Sequence, residues 1–114
     1  TTVQLDASGN ASITTADIDN GSFDNCSVTL SLDISAFTCA NVGANPVVLT
    51  GTDPSGNSAT CNATVTVQDN IDPTITCPAP VSVNTDIGSC DATGVALGTP
   101  VTADNCGIAT VTND

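Results

Sequence analysis

The chain contains no lysine, arginine or histidine, and no glutamate, methionine, tryptophan or tyrosine. Without a cationic side chain it cannot neutralise phosphates, which excludes nucleic acid as a partner and an anionic membrane surface with it. Without histidine or lysine no general base is available to activate a serine or cysteine, so nucleophilic catalysis of the triad kind is excluded. Structural zinc is not expected either, since the six cysteines form no CxxC pair and no histidine completes a site. There is no apolar run of membrane-spanning length and no signal peptide, so no membrane insertion is expected and the chain reads as an internal piece of a secreted protein. Aromatic residues are limited to Phe23 and Phe37. The core must therefore be thin, and something besides apolar burial is expected to support it.

What the 114 residues do contain is 12 aspartates, a net charge of −12 and six cysteines. Any positive partner has to come from solvent, and divalent cations are the natural choice. Cysteines without metal-site spacing point to disulfides and an oxidising compartment, outside the cell or at its surface. High charge with simple composition is also a signature of disorder. Here, however, 39% of residues are hydrophobic, and Val and Ile fall in alternating runs, as strands require.

Asp24-Asn25-Cys26 returns 80 residues later as Asp104-Asn105-Cys106, and Val3, Asp6 and Val28 recur in the same register as Val83, Asp86 and Ile108. A fixed offset with matched spacing marks a tandem repeat. Residues 1–68 read as a first module whose first strand could lie ahead of residue 1, residues 69–73 as an acidic joint, and residues 74–114 as the opening part of a second module. Strands are expected at Val3–Leu5, Ala11–Thr14 and Val28–Leu32, and again at Pro46–Thr50, Thr60–Val67 and Thr74–Cys77. In the second module they are expected near Val81–Val83, Val95–Leu97 and Ala109–Val111. Asp53-Pro54-Ser55-Gly56-Asn57 has the residues of a type I turn inside a hairpin. Short strands at regular spacing with turn signals between them imply an all-β antiparallel sandwich, and no segment shows a capped helical period.

Ile71-Asp72-Pro73-Thr74-Ile75-Thr76-Cys77-Pro78 resembles the opening of hyalin-type repeats, which are immunoglobulin-like extracellular modules. Thr52-Asp53-Pro54-Ser55-Gly56-Asn57-Ser58-Ala59-Thr60-Cys61 is similar to their closing hairpin. The stretch Val3–Asp24, through Asn41-Val42-Gly43, resembles repeats of the giant surface adhesins of Bacteroidetes, including the gliding-motility adhesin. The resemblance implies immunoglobulin-like sandwich modules in tandem, in a filament or stalk at the cell surface. It also implies that the cysteine of each opening strand pairs with the cysteine of the last strand in its module. On that pattern Cys61 and Cys77 bond to cysteines outside residues 1–114, or to each other across the joint. The bridges within the chain become Cys26–Cys39 and Cys90–Cys106. The second module has no counterpart of Pro46–Val67, so either more of the same chain completes it or a neighbouring subunit donates the strands.

Asp17-Ile18-Asp19-Asn20-Gly21-Ser22-Phe23-Asp24-Asn25 carries three carboxylates and two amides, the oxygen-rich, glycine-containing kind of loop that suits calcium. The glutamate that closes an EF-hand loop and the flanking helices are both missing, and Asp, Asn and Gly also make good turns by themselves. The joint Asp69-Asn70-Ile71-Asp72-Pro73 is similar to the calcium-binding linkers of cadherins. On the immunoglobulin-like arrangement, Asp104 approaches Asp69 and Asp72, while Asp17, Asp19, Asp24 and Asp53 gather at the upstream end of the first module. Asp6, Asp33, Asp86 and Asp91 read as turn or surface residues. The function expected is a non-catalytic structural repeat of a long extracellular filament or adhesin, disulfide-stabilised and stiffened by calcium. Its partners would be neighbouring modules or copies of itself. The alternative is a calcium-dependent ligand- or glycan-binding module of a surface protein.

Overall fold

The computed structural model describes residues 1–82, 84, 88, 96 and 98–112. The expected strands near Val81–Val83 and Val95–Leu97 fall partly or wholly outside the described residues, as do Cys90, Asp86 and Asp91. The protein is all-β, and it divides into two compact units, Thr1–Ile71 and Asp72–Asp114. The division falls inside the stretch 69–73 read as a joint.

The first unit is organised on one long hairpin. Strands β5 (Gly43–Thr52) and β6 (Ser58–Gln68) pair antiparallel over ten residues, from Gly43↔Val67 to Thr52↔Ser58. Strand β3 (Thr29–Leu32) adds antiparallel to the far edge of β5, and β1 (Thr2–Gln4) adds to β6, giving the order β1-β6-β5-β3. The β1–β6 pairing is parallel, which corrects the expectation of a wholly antiparallel sandwich. A second, two-stranded sheet joins β2 (Asn10–Ser12) to β4 (Ala36–Thr38).

Pro46 lies within β5 opposite Thr64. Strand β3 reaches along β5 only to Leu49, so the missing N–H of Pro46 faces an open edge, where proline is tolerated. Asp33 ends β3 by taking over the ladder, its Oδ1 accepting the N–H of Val48 at 2.7 Å.

The buried hydrophobic residues among those described are Leu5, Ile13, Phe37, Val47, Leu49, Val65 and Val67. They come from strands β4, β5 and β6 and from the residues just after β1 and β2. Val47 and Leu49 alternate along β5 and Val65 and Val67 along β6, the period of a strand with one buried face. Cys61 and Ala63 continue that face in sequence, yet Cys61 is exposed and Ala63 half-buried. The core therefore stops part-way along the hairpin.

Strand β4 and two helical turns escape the sequence pattern. Residues 36–38 have no alternation to announce a strand; they become one because Phe37, only 1% exposed, fills the centre of the core. Thr15–Ile18 forms one turn of α-helix, α1. The signal was legible in Thr14 and Asp17, spaced as a capping box. Cys39–Asn41 forms a 3-10 turn capped in the same way by Thr38 and Asn41.

The second unit has strand β7 (Thr74–Thr76) antiparallel to β8 (Val101–Ala103), in the register Thr74↔Ala103, Ile75↔Thr102, Thr76↔Val101. The strand expected at Ala109–Val111 is not formed. Its counterpart β3 in the first unit is held by β5, and no such neighbour stands beside Ala109–Val111 among the described residues.

Phe37 is the one aromatic in this core, so truncation leaves a cavity nothing nearby can fill. Phe37→Ala should cost about 3–5 kcal/mol, a large part of the ~5–15 kcal/mol usual for a domain. A urea midpoint unchanged by the substitution would show that the core does not depend on Phe37.

Candidate functional site

Two features could carry function: the aspartate-rich turns, and an open cavity at one end of the first unit. The turns are built alike. Asp6-Ala7-Ser8-Gly9-Asn10 and Asp53-Pro54-Ser55-Gly56-Asn57 share the pattern Asp-x-Ser-Gly-Asn. In the first, Asp6 Oδ1 accepts the N–H groups of Ser8 at 2.8 Å and Asn10 at 3.0 Å. In the second, Asp53 Oδ1 accepts those of Ser55 at 2.9 Å and Asn57 at 2.8 Å. Both close with the glycine N–H on the aspartate carbonyl, at 2.9 and 3.1 Å. Both glycines take positive φ, 74° and 88°, where a Cβ is disfavoured. These are Asx turns, in which a short carboxylate mimics a backbone carbonyl.

The other aspartates follow suit. Asp17 Oδ2 accepts the N–H of Thr14 at 2.7 Å and its hydroxyl at 2.8 Å. Asp19 Oδ1 accepts from the N–H and hydroxyl of Ser22. Asp24 Oδ2 accepts the N–H of Cys26 at 3.2 Å, Asp69 Oδ1 that of Ile71 at 3.2 Å, and Asp104 Oδ2 that of Cys106 at 2.9 Å. Asp33, given no role from the sequence, accepts from both Ile34 and Val48. In a chain with no cationic side chains, backbone and hydroxyl donors take the place of salt bridges.

These bonds hold three carboxyls below their ordinary range. The Thr14 backbone N–H, then the Thr14 hydroxyl, lowers Asp17. The Ser22 hydroxyl, then its N–H, lowers Asp19. The Asn57 side-chain amide, then its N–H, lowers Asp53.

The expected calcium ligands are not gathered. Among the described residues no three Asp, Glu, His or Cys side chains converge on a point that could hold a metal. Asp17, Asp19, Asp24 and Asp53 thus form no shared site, and each serves its own turn. Asp69 lies in the first unit, and Asp72 and Asp104 lie in the second.

Cys39 and Cys106 are disulfide-bonded. Cys26 is a free, exposed thiol, as are Cys61 and Cys77. The expected Cys26–Cys39 bridge is therefore not formed. Cys26 is engaged locally through its N–H in the Asp24 turn, whose position is set by local backbone geometry rather than by a distant thiol. The Cys90–Cys106 expectation involves Cys90, outside the described residues. A Cys61–Cys77 bridge across the joint is likewise not formed, both thiols being free.

The cavity, about 410 Å³, opens where the core stops. Its floor is the inward face of the β5–β6 hairpin at Leu49, Gly51, Ala59 and Cys61, and its wall is Ser22 and Phe23. Phe23 is 92% exposed, an aromatic with no cover. Sequence reading assigned neither Phe23 nor the cavity, because a cavity lined by residues far apart in the chain has no linear signature.

Comparison with family models, curated proteins and solved structures yields no match to this chain. No helix among the described residues is long and apolar enough to cross a membrane, which says nothing of a β-barrel.

Because Asp17, Asp19 and Asp53 are depressed, their contribution to stability is complete above the ordinary carboxylate range. It is lost as pH falls through their lowered values. Asp53→Asn keeps one oxygen but cannot accept the Asn57 amide. Its melting temperature should lie below wild type at neutral pH, and the gap should close as the pH is lowered towards about 2. A gap that persists in acid would show that the Asp53 charge plays no part in the turn.

Proposed function

We propose that the chain is a structural, non-catalytic repeat of a long extracellular filament or adhesin, built from immunoglobulin-like β-sandwich modules. The observation that carries this reading is the structural recurrence of the Asp-Asn-Cys turn. The same carboxylate-to-N–H bond forms at Asp24–Cys26 and, 80 residues on, at Asp104–Cys106, in two separate compact units.

Strand order supports the immunoglobulin-like part of the reading. In that fold strands C, F and G are neighbours in one sheet and B and E in the other. The order β3-β5-β6 facing β2-β4 corresponds to this arrangement, with β1 crossing to lie beside the last strand. The likeness of Ile71–Pro78 and Thr52–Cys61 to hyalin-type repeats points the same way. A disulfide-bonded Cys39 and Cys106 suit an oxidising compartment, and with it the exterior of the cell. Lacking a base beside any nucleophile, the chain is suited to holding and spacing rather than to reaction.

Calcium enters this reading as a counter-ion. A net charge of −12 repels itself within a module and between modules, and diffuse divalent cations relieve that repulsion without a dedicated cage.

Two measurements test the proposal. Antibody raised against the first unit should label unpermeabilised source cells, and the labelled protein should contain several 80-residue periods. Labelling seen only after permeabilisation would overturn it. Separately, adding calcium should raise the melting temperature gradually, and sodium chloride at matched ionic strength should reproduce most of the rise. A saturable rise at micromolar calcium would instead reveal a specific site.

A further inference from the structure

The chain contains two aspartyl–prolyl bonds, Asp53–Pro54 and Asp72–Pro73. Such a bond carries its own means of hydrolysis. The aspartate carboxylate can reach the carbonyl carbon of its own residue, and a nucleophile held in place in this way turns a bimolecular step into a unimolecular one. Proline makes the attack productive. Its nitrogen belongs to a tertiary amide, a more basic leaving group than a secondary one. It also has no N–H, so it cannot close on the side-chain carboxyl to form an imide, the route by which other aspartyl bonds rearrange without breaking.

The two bonds stand in opposite surroundings. Asp53 opens the turn of the long hairpin, and both of its carboxylate oxygens are taken. Its Oδ1 accepts the N–H groups of Ser55 at 2.9 Å and Asn57 at 2.8 Å, and its Oδ2 accepts the Asn57 side-chain amide at 2.8 Å. The Asp53 carbonyl accepts the N–H of Gly56 at 3.1 Å. These bonds hold the carboxylate forward along the chain, and attack on its own carbonyl requires breaking them. Asp72 has no such hold. It is exposed, as is Pro73, and it accepts no hydrogen bond among the described residues. Residues 69–73 belong to no strand or helix, and the chain passes from its first compact unit to its second at Ile71–Asp72. The neighbouring carboxylates are engaged in their own turns. Asp69 accepts the N–H of Ile71 at 3.2 Å; Asp104, which the Thr74↔Ala103 register sets opposite Pro73, accepts that of Cys106 at 2.9 Å.

We propose that Asp72–Pro73 is an acid-labile, self-cleaving bond that parts the two units without a protease, while the hairpin turn protects Asp53–Pro54. The inference stands apart from the filament reading and from cellular location. In the first step a carboxylate oxygen of Asp72 bonds to the Asp72 carbonyl carbon. The proline nitrogen takes a proton from solvent and the C–N bond breaks, which leaves a cyclic anhydride at Asp72 and a secondary amine at Pro73. Water then opens the anhydride to the two carboxyls of a C-terminal aspartate. The net reaction consumes one water and one peptide bond and needs no oxidant. Acid drives it by supplying the proton on the leaving nitrogen. Scission divides no strand pair among the described residues, since Thr1–Asp72 keeps β1 to β6 and Pro73–Asp114 keeps β7 with β8.

The test holds the chain at about pH 3.5, within the carboxylate range, at physiological temperature. Strand content is followed by circular dichroism, and masses are read after reduction. Fragments Thr1–Asp72 and Pro73–Asp114 should form at least about tenfold faster than Thr1–Asp53 and Pro54–Asp114, because the turn's hydrogen bonds restrain only Asp53. Urea, which removes the turn, should bring the two rates together. Asp72→Ala removes the nucleophile at an exposed position. It should leave the circular dichroism unchanged and slow cleavage at residue 72 about a hundredfold or more. The proposal is overturned if the folded chain is not cut at Asp72–Pro73, or is cut as fast at Asp53–Pro54. It is equally overturned if the difference persists in urea, or if Asp72→Ala is cut at the wild-type rate.

Discussion

The β5–β6 hairpin is the interaction on which the first unit depends. Its ten paired residues are the longest ladder in the described structure, and both flanking strands attach to it. Four of the seven buried side chains, Val47, Leu49, Val65 and Val67, stand on its inner face. A two-stranded ribbon is marginal by itself in water, so the hairpin needs the strands that flank it, β1 and β3, as much as they need it. Its register is set by the Asp53–Asn57 turn, where one carboxylate accepts two N–H groups and a glycine supplies the positive φ. A slip of one residue would turn the valines outward.

The second constraint is charge without counter-charge. In most proteins aspartates meet lysine or arginine at the surface, in pairs worth little. Here those partners do not exist, and the carboxylates turn back on the chain. The result is a structure punctuated by Asx turns, each closing a loop between short strands. Short strands and tight turns keep the core small, and a small core makes single residues such as Phe37 matter. The same use of the carboxylates explains why an aspartate-rich chain assembles no cation site among its described residues. Oxygens that satisfy backbone donors in separate turns do not converge on one ion.

The cysteines divide in a similar way between local and distant roles. Cys26 and Cys106 occupy equivalent turns, yet one is a free thiol and the other is disulfide-bonded. The same triplet makes the same local turn, since in both places the aspartate carboxylate accepts the cysteine N–H. It does not guarantee the same partner, which depends on what the rest of the fold brings near. The turn thus recurs at both positions while the state of its cysteine differs.

The sequence by itself determined the class of structure and its punctuation. Alternating valines dictated strands at β5 and β6, Asp-x-Ser-Gly-Asn dictated two matching turns, and the 80-residue offset spaced two matching Asp-Asn-Cys turns. These features are short-ranged, set by side-chain period and by hydrogen bonds spanning a few residues. Only the tertiary structure decided the rest. Strand β4 forms where Phe37 is buried, β1 adds parallel to the edge of β6, and Ala109–Val111 has no strand partner among the described residues. The cavity beside Phe23 belongs to the same group. It is bounded by residues 22 to 61, far apart in sequence, which only the folded chain brings together.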